Sequence, residues 1–188
     1  PGPSGTTNVM DPQSVIDFWF EEVTAKQRWT KDDAFDQMIR TRFADVHARA
    51  TAAELFGWRQ TPTGRLAEII VLDQFSRNMF RNQPGAFAQD ALALILAQEA
   101  VAVGAHRPLT QDQRNFLCMP FMHSESLAVH HAAALLFEET CDENTRNFEH
   151  RHRVIIERFG RYPHRNAILG RASTPEEIEF LKQPGSRF

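Results

Sequence analysis

The stretch that decides the fold is Thr61-Pro62-Thr63-Gly64-Arg65-Leu66-Ala67-Glu68-Ile69-Ile70-Val71-Leu72-Asp73-Gln74-Phe75. Threonine followed by proline is a helix start, because the hydroxyl caps free amide groups and proline fits the first helical turn. Leu66, Ile69, Ile70, Val71, Leu72 and Phe75 then leave no polar face wide enough to meet solvent. A helix that is apolar nearly all round sits at the centre of its packing. The rest of the chain is expected to wrap around it.

Reading outward, the same punctuation recurs. Asp11-Pro12 opens a helix with Val15, Ile16, Trp19, Phe20 and Val23 in one stripe. Asp32 or Asp33 opens a second, burying Phe35, Met38, Ile39, Phe43 and Val46 and extending or kinking through Ala52–Phe56 to Gly57. Gln83-Pro84-Gly85 is a turn. Ala86–Val103 reads as a fourth helix, closed by Gly104, with Leu92, Ile95, Leu96 and Val103 inward. Thr110-x-x-Gln113 is a capping box for a fifth through Cys118, where Pro120 is expected to break the chain. A sixth runs Met122–Glu139 with Leu127, His130, Ala134, Leu135 and Phe137 mostly inward. Asp142 caps a seventh, ending at Gly160. Arg161–Ser173 reads as irregular, and Thr174-Pro175-Glu176-Glu177 opens a short last helix. No stretch alternates like a strand. The expectation is an all-α chain of about eight helices in antiparallel hairpins, forming one domain over 11–188. Residues 1–10, rich in Gly, Pro, Ser and Thr, read as a disordered arm or cloning remnant, with Met10 a plausible native start and no signal peptide.

Composition narrows the function classes. The chain has 188 residues, 42% hydrophobic, with 15 Phe against one Tyr. Phe buries area without needing a hydrogen-bond partner, so most of these belong to the core. A net charge of −3 argues against a general nucleic-acid binder. No apolar run approaches a membrane span; Ala86–Val103 is interrupted by Gln89, Asp90, Gln98 and Glu99. Cys118 and Cys141 show no CxxC spacing and read as reduced thiols of a cytoplasmic protein.

Polar residues crowd against core residues in three places. Leu72-Asp73-Gln74-Phe75-Ser76-Arg77-Asn78-Met79-Phe80-Arg81 ends the most apolar helix, where a charge must be paired or face a cavity. Asp73 and Arg77 are spaced as a helix pair, and Arg77 and Arg81 could project two guanidinium forks suited to carboxylate or phosphate. Pro120-Phe121-Met122-His123-Ser124-Glu125 carries His123 and Glu125, with His123 and His130 seven apart on what reads as one helical face. Two such imidazoles suit metal or proton transfer, though packed or capping histidines are the more common outcome. The third place is His150-Arg151-His152-Arg153 and Arg158-Phe159-Gly160-Arg161-Tyr162-Pro163-His164-Arg165-Asn166. Seven arginines lie between Arg146 and Arg171 against Glu149 and Glu157, reversing the sign of the whole chain. The chain's 18 arginines against three lysines reflect a general bias, so placement on a loop pinned by Gly160 and Pro163 counts for more. There is no Gly-rich phosphate loop, GxSxG, HExxH or complete zinc-deaminase signature, and Glu149-x-x-His152 lacks a second copy. No metal or cofactor is implied.

At these stretches, and at Asp17-Phe18-Trp19-Phe20, the chain resembles the bacterial domain-of-unknown-function 924 family, over nearly its whole length after Met10. The resemblance implies an all-α, tetratricopeptide-like right-handed stack and attaches no activity. Three functional readings follow. The first is an anionic small molecule or acidic peptide bound in a cleft, with Arg77, Arg81, Arg158, Arg161 and Arg165 holding charge and His123, His164 and Asn166 setting orientation. The second is a scaffold whose arginines and carboxylates pair in a buried network. The third is a hydrolase or lyase with Glu125 or Asp73 as base and His123 or His164 as acid. A homodimer is the default assembly on base rates.

Overall fold

The computed structural model describes residues 10–188, and the expected N-terminal arm, residues 1–9, lies outside them. Every regular element among the described residues is helical.

Helix α1 is Pro12–Asp17, capped by the Asp11 carboxylate accepting from the Gln13 amide, and it runs on into a π-helical turn at Phe18–Glu22. A short α2, Ala25–Trp29, sits in a capping box of Thr24 with Gln27 that the sequence reading passed over. Helix α3 is Asp33–Thr51, capped by Asp32. It stops at Thr51 and does not continue to Phe56. Ala53 turns the chain at φ +58°, and Phe56–Gln60 is a separate 3₁₀ turn.

The deciding stretch forms α4, Pro62–Ile70, capped by the Thr61 hydroxyl. Gly64 is required there because a Cβ would lie 1.9 Å from the Trp58 carbonyl oxygen. A π-helical turn, Val71–Phe75, follows, and α5, Ser76–Met79, completes the rod. Leu66, Ile69, Ile70, Val71, Leu72 and Phe75 are all fully buried. Helix α6 is Asp90–Ala102, starting later than Ala86 because the Pro84 turn continues as a 3₁₀ segment.

Helix α7, Gln111–His123, runs straight through Pro120. Proline in a helix interior costs about 3 kcal/mol. Here Phe116, Leu117, Cys118, Met119, Phe121 and Met122 are all buried around it, which offsets that cost. The consequence is that α7 ends at His123 and α8 is Leu127–Thr140, opened by a Ser126 cap. His123 and His130 therefore sit on different helices, not on one face of one. Helix α9 is Glu143–Phe159, closed by Gly160 at φ +70°. Within the stretch expected to be irregular, Pro163–Arg165 makes a 3₁₀ turn and α10, Asn166–Leu169, follows; α11 is Pro175–Phe180.

The main core closes on aromatic rings. Phe43 lies 4.6 Å from Phe75 and 4.8 Å from Phe18, and Trp19 meets Phe116 edge-on at 5.6 Å. A smaller cluster of Ile155, Ile156 and Tyr162 gathers Leu127, Phe159 and Phe180. Met38, Ile95, Val103, Ala134 and Leu135, expected inward, are exposed. Their helices are covered on one side only, and apolar residues outnumber the positions that side offers. Cys118 and Cys141 are free and buried. Among the described residues no helix is long and apolar enough to cross a membrane.

Candidate functional site

The π turn after α4 brings Asp73 and Gln74 into the interior, both buried. An extra residue in a helical turn redirects side chains, and such turns gather at functional sites. A buried carboxylate needs charge and hydrogen bonds around it. Asp73 obtains them from three sides. Gln74 donates at 3.1 Å, Arg77 donates at 3.2 Å, and His123 Nδ1 lies 2.8 Å away. Burial pushes its carboxyl up, but the charges of His123 and Arg77 outweigh that and hold it below the ordinary aspartate value.

Arg77 grips a second carboxylate with both terminal nitrogens, at 2.8 and 3.0 Å from the two oxygens of Asp90 at the start of α6. Beside it lies Arg165, 5% exposed, its guanidinium between the rings of Phe87 at 4.5 Å and Tyr162 at 4.7 Å. One terminal nitrogen donates to the His123 carbonyl at 2.9 Å. The other stands 3.6 Å from Asp90 and 3.9 Å from Glu125, too far for a hydrogen bond, and Nε is buried without a partner. Burial lowers the Arg165 pKa, and the Arg77 charge lowers it further. Glu125 belongs to Arg171, which meets both its oxygens at 2.9 and 3.1 Å, and it also accepts the Tyr162 main-chain amide at 2.7 Å.

Three further histidines pack against this network, His130 and His152 buried and His164 partly so. His130 is saturated, with Glu149 at one ring nitrogen and the Ser124 carbonyl at the other. The Tyr162 hydroxyl donates to the Met122 carbonyl at 2.6 Å, and burial pushes its pKa up. His152 donates from Nδ1 to the Phe148 carbonyl and stacks on Phe188 at 3.7 Å. Burial lowers its pKa to about 3. His164 is brought to about 3 by burial and by Arg165, and its Nδ1 is buried without a partner. Both rings are thus neutral near pH 7. Among the described residues no group of three or more His, Cys, Asp or Glu is arranged to hold a metal ion.

Of the residues singled out in the sequence, Asp73, Arg77, His123, Glu125 and Arg165 meet in one network. His164 and Asn166 border it; Asn166 accepts from Arg171 at 3.0 Å. Arg81, Arg158 and Arg161 are engaged elsewhere. Arg81 forks onto Asp36 at 2.6 and 3.0 Å, Arg161 onto Glu177 at 2.9 and 2.7 Å, and Arg158 reaches exposed Glu176. Each found a carboxylate on a neighbouring helix. The sequence reading passed over Asp90, Phe87, Tyr162, Arg171 and Phe188. Asp90 had registered only as an interruption in an apolar run, and Arg171 only as one more positive charge. Two open hollows lie away from this network. One of 460 Å³ is lined by Arg40, His47, Met79 and Phe80, and one of 430 Å³ by Asn144, Phe148 and Arg151.

Comparison with known proteins adds three findings. A family model described as "Bacterial protein of unknown function (DUF924)" matches residues 15–185. The solved structure "Structure of Protein of Unknown Function ATU0120 from Agrobacterium tumefaciens" is similar with a TM-score of 0.86 and 38% identity, covering 91% of this chain and 96% of that one. No curated protein matches.

Proposed function

The chain belongs to the DUF924 family of bacterial proteins of unknown function, and from the state of Arg165 we propose that it binds a small carboxylate or phosphate at the junction of Arg165, His123 and His164. The supporting observation is single. Arg77 and Arg171 each spend their donors on a carboxylate, whereas Arg165 is buried with Nε unbonded and one terminal nitrogen held at 3.6 Å or more from any carboxylate oxygen. Burying a guanidinium with donors unused is costly, and an anion taking those donors removes the cost. Stacking against the rings of Phe87 and Tyr162 holds the planar fork in place.

The scaffold reading has an observation of its own: Arg77, Arg165 and Arg171 are matched one for one by Asp73, Asp90 and Glu125, so the network is close to neutral without a guest. Thermal denaturation at constant ionic strength separates the two. Phosphate or succinate is expected to raise the melting temperature above a chloride control, because a ligand that binds only the folded state stabilises it. Arg165→Met is expected to abolish the gain. Equal melting temperatures in all three salts would overturn the anion reading and leave the scaffold.

A further inference from the structure

Two histidines of this network are held in opposite ways. His130 is fully buried and bonded at both ring nitrogens. His123 is held at one nitrogen only. Its Nδ1 lies 2.8 Å from the Asp73 carboxylate, and among the described residues Nε2 has no hydrogen-bond partner, while the side chain keeps 14% of its surface exposed. A carboxylate at Nδ1 fixes the tautomer, so that in the neutral ring the lone pair is on Nε2.

Among the described residues, the carboxylates and the hydroxyl nearest His123 are all engaged. Glu125 is occupied by Arg171 and the Tyr162 amide, and Asp90 by Arg77. The Tyr162 hydroxyl is committed to the Met122 carbonyl. Arg165 donates to the main-chain carbonyl of His123, which tethers its unpartnered Nε near the end of α7, while Asp73 separately orients the His123 ring.

We propose that Asp73 and His123 form a general-base dyad that hydrolyses a carboxylic ester bearing a second, free carboxylate, which Arg165 holds. The proposal rests on the anion reading above. In the step, a water oxygen bonds to the ester carbonyl carbon, its proton passes to His123 Nε2, and the carbonyl π pair moves onto oxygen. As that pair returns, the bond from carbon to the alkoxide oxygen breaks and the proton on Nε2 transfers to the departing oxygen. The products are a carboxylic acid and an alcohol. Asp73 stays ionised throughout and stabilises the imidazolium between the two transfers.

Alkylation of the unmutated protein tests this without a known substrate. Iodoacetate carries the required carboxylate, iodoacetamide does not, and His123 Nε2 displaces iodide from either. Peptide mapping should find His123 modified more than about tenfold faster by iodoacetate than by iodoacetamide, the gain expected of a held reactant. Succinate should protect it, and Arg165→Met should erase the preference. The mono-4-nitrophenyl ester of fumaric acid, whose trans carboxylate cannot reach its own ester, should be hydrolysed in preference to 4-nitrophenyl crotonate, with turnover lost in His123→Gln and Asp73→Asn. If His123 reacts no faster than exposed His131, or both reagents react alike, while succinate still raises the melting temperature, the dyad is overturned and the anion site stands. If succinate has no effect on melting, both fall together.

Discussion

Arg165 reaches back 42 positions to donate a hydrogen bond to the main-chain carbonyl of His123 at 2.9 Å. The bond ties the loop after α9 to the last residue of α7 through a carbonyl, which does not titrate. The guanidinium therefore keeps its place whatever the charge on the His123 ring. It also means that Arg77 and Arg165, neighbours in the same network, answer to different partners. Arg77 is needed by two carboxylates and Arg165 by none at hydrogen-bonding distance.

Their substitution should divide accordingly. Arg77→Ala strands Asp90 and removes the arginine that pairs with Asp73, and breaking such a buried pair costs about 3–5 kcal/mol. Arg165→Met keeps an apolar stem between Phe87 and Tyr162 and strands no carboxylate, since Asp90 retains Arg77 and Glu125 retains Arg171. Its cost should stay within about 2 kcal/mol. Urea denaturation of the two variants gives the comparison, and equal costs would mean that Arg165 is a structural ion pair like its neighbour.

Arg81→Ala serves as the control for position. Its partner Asp36 is 5% exposed and would keep only the Asn78 amide, so the loss should be about 3 kcal/mol. The response to phosphate or succinate, measured as a rise in melting temperature of the variant over its own chloride control, should equal that of the unmutated protein.

Arg77 and Arg81 stand four apart, and sequence alone gave no way to part them. A spacing of four places side chains near one another only on a regular helix, and α5 stops at Met79, so Arg81 leaves the helix that carries Arg77. The rod itself was legible because its punctuation is local: a Thr61 cap, a proline, and an apolar run. So were the caps of α1, α3, α9 and α11. Pro120 misled for the opposite reason, since what keeps α7 intact is tertiary burial that no local rule sees. The polar network was half legible. Asp73, His123 and Arg165 stood out as charges beside core residues, but their partners Asp90 and Arg171 come from distant segments and carry no local mark. Tyr162 did leave a signal. In a chain with 15 Phe, the lone Tyr is the buried ring that needs a hydroxyl, and it gives that hydroxyl to Met122.

The tail of the chain offers a contrast between two arginines three residues apart. Arg158 and Glu176 are both exposed, so Arg158→Ala should change stability by no more than about 0.5 kcal/mol. Arg161 forks onto Glu177, whose residue is 2% exposed, and also bonds the Ala172 carbonyl. The Arg161 hydrogen bonds hold the Glu177 pKa near 2. Arg161→Ala should therefore loosen α11, seen as faster hydrogen exchange over 174–180, while Arg158→Ala leaves that segment as protected as before.

Acid should destabilise the protein in two separate ranges, and the upper one belongs to the histidines. His152 and His164 have folded pKa values of about 3, against 6.5 for the free side chain. Between those values the unfolded chain binds protons that the folded one refuses, so stability is complete above about pH 6.5 and falls as pH drops toward 3. Each of the two can contribute up to about 1.4 kcal/mol per pH unit in that range. The carboxylates held low by their partners, Asp36, Asp73, Glu125, Asp142 and Glu177, act in the same direction but only below the ordinary values of 3.8 for Asp and 4.5 for Glu. The interval from about pH 6.5 to 4.5 thus isolates the imidazoles. His152 is lowered mainly by burial, with His123, His130 and His164 adding to it, and His164 by burial followed by Arg165, Arg77 and Arg187. Replacing both with Gln should make the fall in melting temperature across that interval shallower, the remainder coming from His47 and His106, whose pKa values burial also lowers, and leave the steeper fall below it. A slope unchanged in the double variant would show that these rings accept protons without unfolding the chain.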